Sequence, residues 1–302
     1  PTVNACSNAY LVTGDDRWLT LAREQMDINF SLGQEREGMW HTPHKHFDSG
    51  WTDYRPVTPY HAIHLWTKSL APEDRERIER SRGGFDWSTV SIAEKPFSVK
   101  HYNTNTVPWY EYISGNLPDY PVEVLQANSC LLNQQLARLR SEHGDPRVWD
   151  TVEQINDYPD SLSMQIDGYA IHAWQEFCPV YFESLVQLQW GVPMHISHGG
   201  FQHATLRYFS SESHRPGLPQ GVSALVSGLE PDEVTVTLAN TTDSTHSVVI
   251  QSGAFGEHTI TEVGETSQAA EALTAPSAWL EIEMPAQASV TLKLRLDRYS
   301  NK

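Results

Sequence analysis

Over the first two thirds of the chain, apolar positions recur at helical spacing in short runs. Residues 9–30 read as the end of one helix, a turn and a second helix. Gly14 stops the first, Asp15 is a natural N-cap for the second, and Asp16 lies in its first turn. Leu19, Ala22, Met26 and Phe30 then share one face. Thr58 to Leu70 reads as a helix, and Pro72 to Arg82 as a charged continuation that Gly83–Gly84 breaks. A further helix starts at Thr106 with Pro108 in its first turn, and another opens at Tyr120–Pro121. On the latter, Leu125, Ser129, Leu132, Leu136 and Leu139 step by four and three, which predicts a buried stripe. Residues 146–157 form a short helix candidate, and Ile171 to Trp190 a long one kinked at Pro179.

After about Pro219 the period falls to two. Val234–Leu238, His246–Ile250, His258–Ile260, Trp279–Glu283 and Val290–Leu296 alternate as short strands between turn residues. That spacing predicts an antiparallel β-sandwich with no catalytic constellation of its own. The expected fold is therefore α+β and multidomain: a helical domain over residues 1–209 and a β-sandwich over 210–302.

Three stretches follow neither period. Trp40 to His64, WHTPHKHFDSGWTDYRPVTPYHAIH, holds five of the chain's 14 histidines and reads as a long loop. Loops on rigid scaffolds tend to carry function, so it is the first candidate for a site wall, with a functionless exposed loop as the alternative. Residues 97–116 and 190–209 share its mixture of His, Tyr, Asn, Arg and Trp. In the last, Gly199–Gly200 permits a tight turn among His195, His198 and His203.

Composition narrows the chemistry. A chain of 302 residues has ample length for a core in one large or two moderate domains. A net charge of −17 argues against nucleic acid, and against polyanions unless Arg and Lys gather locally. The 10 Trp and 12 Tyr suit either flat-faced ligands or a ring-filled core. No apolar run is long enough to span a membrane. Cys6, Cys130 and Cys178, widely spaced and without CxxC, indicate neither a disulfide framework nor a thiolate zinc site, and leave the compartment open. Pro1 opens the chain with no initiator Met or signal pattern, which reads as a piece cut from something longer.

The stretch YLVTGDDRWL, residues 10–19, resembles the helix-turn-helix joint that recurs in the (α/α) toroids of carbohydrate-active enzymes, the glycoside hydrolases and polysaccharide lyases. The resemblance implies a partial toroid, a trailing β-sandwich that braces it, and a saccharide substrate. The helices read here are about half of what a closed toroid needs. A second chain or an upstream fragment is therefore the expected partner.

If the three aromatic-polar stretches converge, two ways of cutting a glycosidic bond fit them. In β-elimination a base removes the proton beside a uronate carboxylate, a tyrosine protonates the leaving oxygen, and Asn, His or Arg stabilise the charge. The toroidal lyases resemble this set. His44 or His101 would be base or charge stabiliser, Tyr54 or Tyr102 the acid, Asn103 and Asn105 polar partners, and Arg55 and Arg207 the carboxylate clamp. Trp51, Trp109 and Trp190 would stack on sugar faces, with His198 alongside. Hydrolysis needs two carboxyl groups roughly 5 to 9.5 Å apart. Asp48, Asp53, Glu111 and Glu176 are its candidates. Each has a plainer reading: Tyr54 and Tyr102 as packing residues, Asn103 and Asn105 as turn formers or caps, Arg55 as the partner of Asp53, Glu176 as solvent-facing.

No cofactor is expected beyond a divalent ion, zinc or calcium, at His41, His44 and His46. Their H-x2-H-x-H spacing, completed by Asp48 or His198, would make a tetrahedral site, although Pro43 restricts it and no HExxH is present. The third class is a non-catalytic sugar-binding or structural half.

Overall fold

The computed structural model describes residues 2–83, 86–90, 105–140, 182–194, 202–265 and 270–300. Among them are seven helices and three antiparallel sheets, a mixed α+β arrangement. Helix α1 (Thr2–Thr13) meets α2 (Arg17–Ser31) at Gly14, whose φ of 62° lets the chain reverse. Asp16, not Asp15, is the N-cap of α2 and makes no side-chain capping bond; Asp15, one residue earlier, accepts the Arg17 amide at 3.0 Å.

The stretch expected as a loop is instead a three-stranded meander followed by a helix. Strands β1 (Gln34–Arg36), β2 (Met39–Phe47) and β3 (Gly50–Pro56) pair in that order, with His46 opposite Trp51 and Thr42 opposite Arg55. Glu37 and Gly38 both take positive φ in the first two-residue turn, the geometry that suits a hairpin. The sheet carries no alternating apolar signal because it lies largely in water, with only Thr42 and Pro43 of β2 buried. A strand with no buried face leaves no period to read.

Helices α3 (Tyr60–Ser69) and α4 (Pro72–Glu79) follow, parted by Leu70 in the left-handed region. Then come α5 (Thr106–Ile113), α6 (Tyr120–Arg140) and α7 (Glu183–Trp190). The candidate helix at 146–157 and the early part of the Ile171–Trp190 helix, with its Pro179 kink, lie outside the described residues.

The leucine stripe predicted on α6 is not the buried face. Leu125 is 43% exposed and Leu132 36%, whereas Tyr120, Val124, Ala127 and Leu131 enter the core. Tyr120 sets that rotation: its ring stacks on Tyr112 and its hydroxyl donates to the Gln187 side chain.

Nine strands make the C-terminal sheets: β4 (Leu206–Ser210), β5 (Arg215–Pro216), β6 (Val222–Leu229), β7 (Glu233–Asn240), β8 (His246–Ser252), β9 (Thr259–Glu265), β10 (Glu271–Ser277), β11 (Trp279–Met284) and β12 (Ser289–Asp297). One sheet has the order β10-β9-β12-β7-β6, the other β11-β8-β4-β5. Strand β7 buries every second residue, and Val234, Val236 and Leu238 share one apolar core with Leu206 and Ile250 of the other sheet. Trp66, Trp109 and Tyr110 extend that core into the helices. The chain end closes back on α3, where Arg298 donates to the carbonyls of Ser69 and Lys68 at its C-terminus.

Candidate functional site

The β2–β3 hairpin leans over the helices and leaves a cleft of about 350 Å³. Helix α2 supplies Asn29 and Phe30, β2 His44, α3 His61, α4 Arg77, and its C-cap Arg80. Local chemistry holds the walls in place. Trp40 stacks on Phe30, donates from Nε1 to the Phe30 carbonyl at 3.0 Å, and fixes the hairpin root to the end of α2. Asn29 donates to the Pro43 carbonyl at 3.4 Å. On the opposite wall His61 pairs with Asn4 at 3.1 Å.

The arginines stand on an ion-pair network beneath the cleft. Asp27 accepts Arg77 Nη2 at 2.7 Å and Arg80 Nη2 at 2.6 Å. Burial alone would raise the Asp27 pKa, but the two guanidiniums hold it below its ordinary value. Asp74, fully buried, accepts Arg23, Arg77 and the Ser69 hydroxyl. Arg77 thus spends four of its five N–H groups, on Asp27, Asp74 and the Glu73 carbonyl. Arg80 spends only Nη2 on Asp27, lies over the Phe30 ring at 4.3 Å, and has further donors without a partner among the described residues.

A second polar cluster lies at the α4–α5 junction. Arg82 bridges Glu79 at 2.6 Å and Glu111 at 2.7 Å, while Tyr110 donates to Glu79 and Asn116 to Glu111. Arg82 keeps the Glu79 pKa below the usual carboxylate range. By bridging Glu79 and Glu111, Arg82 braces the end of α4 against α5.

Residues 1–186 match the family described as Domain of unknown function (DUF8034). The chain belongs to that family. No curated protein and no solved structure matches it. The family portion takes in the cleft, the hairpin and the Arg82 brace, and all nine C-terminal strands lie beyond it.

Of the residues predicted for a site, His44 alone lines the cleft among the described residues. Asp53 and Arg55 pair with each other on β3 at 2.8 Å, which lowers the Asp53 pKa. Tyr54 packs under Arg36 at 4.7 Å. Asp48 lies at the exposed hairpin tip. Asn105 is buried just before α5, and its carbonyl accepts the Trp109 amide. Trp109 is 0% exposed and donates to the Gln187 carbonyl at 3.1 Å, leaving no ring face open to a ligand. Glu111 is held in the brace. Trp190 packs against the core at the end of α7, and Arg207 on β4 donates to the Ala254 carbonyl at 3.0 Å, within the sheets. His101, Tyr102, Asn103, Glu176 and His198 lie outside the described residues.

Strand alternation puts His41 on the opposite face of β2 from His44 and His46. Its Nδ1 lies 3.1 Å from the Met39 carbonyl. No group of three metal-ligating side chains comes together among the described residues. No described helix is long and apolar enough to cross a membrane.

Arg77 and Arg80 were missed because a run of alternating charges on a helix reads as a solvated face. The usable signal was Asp27 on α2, an acid one residue from Met26 on the face predicted to pack, which accepts both arginines.

Proposed function

We propose that the cleft holds an acidic saccharide and cleaves its glycosidic bond by β-elimination, within a partial (α/α) toroid braced by a β-sandwich. The observation that carries this reading is the placing of His44 and His61 across one cleft from Arg80, whose guanidinium keeps donors to spare. Arg80 takes the clamp role in place of Arg55 and Arg207, which are already paired elsewhere. With the carboxylate held there, a neutral histidine removes the proton on the adjacent carbon. The electrons form a carbon–carbon double bond, and the glycosidic oxygen leaves with the proton that the histidine has taken up. Elimination is preferred over hydrolysis because Asp53 and Glu111 are each tied to an arginine and lie on separate elements. Asp27 and Asp74 balance the charge of Arg77 and Arg80, so the clamp relies on the unspent N–H groups of Arg80 rather than on a net positive patch.

The test is a panel of uronate and neutral glycans followed by ultraviolet absorbance and by reducing ends together. Elimination predicts new absorbance with uronates, lost on His44→Ala and Arg80→Ala while circular dichroism stays unchanged. Reducing ends without absorbance would make the protein a hydrolase. Binding without cleavage would make it a sugar-binding half that relies on a partner.

A further inference from the structure

Beyond the cleft, the hairpin carries an aromatic surface that the cleft reading does not use. His44 and His46 are two residues apart on β2 and so share a face, about 7 Å apart along the strand. Trp51 on β3 pairs with His46, and the two rings meet edge to face at 4.8 Å. The same face carries Arg55, opposite Thr42. Trp51 is 45% exposed, a large ring left in water on a strand paired with β2 on one side. A lone exposed Trp needs no explanation. This one is held in place by His46 and lies on the strand face that delivers His44 into the cleft.

We propose that this face is a second saccharide subsite, so that a polymer chain runs out of the cleft past His44 and stacks one sugar ring on Trp51. The indole offers an apolar plate for the C–H face of a sugar, and the Arg55–Asp53 pair beside it offers donors and acceptors for hydroxyls. Polar and aromatic groups alternate along the surface, as an amphipathic ligand requires and as a protein-docking core, depleted of charge, does not. The inference rests on the reading of the cleft as a saccharide site. It adds that the substrate is a polymer and that affinity grows with chain length.

The experiment is calorimetric titration of galacturonate and alginate oligomers, two and six units long, into the full chain and its variants. The wild type is expected to bind hexamers about tenfold more tightly than dimers, the order of one aromatic stacking contact. Trp51→Ala should reduce hexamer affinity to that of the dimer and leave dimer binding unchanged, with Trp51→Phe in between. His44→Ala should weaken both lengths. If Trp51→Ala binds both lengths as the wild type does, or weakens both equally, the subsite is overturned while the cleft stands. If the wild type binds neither oligomer, the cleft reading falls and this inference with it.

Discussion

Lys68 offers the sharpest quantitative test of the packing. Its side chain, at the α1–α3 contact, is 1% exposed, and Nζ donates only to Ser7 Oγ at 3.2 Å and the His64 carbonyl at 3.4 Å. No carboxylate pairs with it among the described residues. Burial pushes its pKa from 10.5 down to about 7. Above the unfolded pKa both states are neutral and burial carries no penalty. As pH falls from 10.5 toward 7, the unfolded chain takes up a proton that the folded chain refuses, and stability drops by about 1.4 kcal/mol per pH unit. The full loss is roughly 5 kcal/mol by pH 7 and stays constant below it. Lys68→Met removes this titration and keeps the volume. It leaves Ser7 and the His64 carbonyl one donor short, at about 1–2 kcal/mol. The variant should therefore be more stable by about 3 kcal/mol at pH 7, the advantage shrinking and then reversing as pH approaches 10.5. Urea denaturation of both proteins at pH 7, 8, 9 and 10 measures it. Groups common to both proteins cancel in the difference. A difference that does not vary with pH would refute the argument, because it would mean that Lys68 keeps its proton when buried.

The acid limb should be set by buried histidines. Burial holds His258 near pKa 3 and His203 well below its ordinary value. Stability should therefore fall as pH drops from about 6.5 toward 3, where the unfolded chain protonates first, by up to about 1.4 kcal/mol per unit per histidine. Melting temperature against pH should show that slope, and a flat profile would contradict it. Arg82→Ala strips the counter-ion from the buried Glu111 and should cost about 3 kcal/mol in denaturant unfolding. Adding Glu111→Gln should restore part of that loss, and strict additivity of the two changes would show that the pair is not coupled.

The fold was legible where local chemistry decides it. Gly14 and Asp15 mark a turn and an approaching helix start whatever surrounds them, and Pro108 and Pro121 mark first turns for the same reason. Strands β7 and β12 were legible because each alternates buried and open positions, and β8 and β11 because their sequences are rich in apolar and β-branched residues. Strand β6 was not read because its small residues, with the register shift at Gly228, blur the period. The candidate site was legible as a region, since Trp40–His64 forms one wall of the cleft, but among its predicted residues only His44 reaches that wall.

By itself the sequence determined most of the helices, the change from helical to strand period near Pro219, and the concentration of histidines in the hairpin stretch, though not that this stretch is a sheet. Those properties depend on neighbours within a turn or a strand. Only the tertiary structure decided which face of α6 is buried, that Trp109 is a strut, that Lys68 loses its water, and that Arg80 meets His44 across a cleft. Each rests on contacts between distant residues: Arg80 reaches Asp27 across 53 positions, and Arg298 caps α3 from 230 positions away. The energy of such contacts comes from excluding water at a surface made by two elements, and neither element's own pattern specifies which partner that will be.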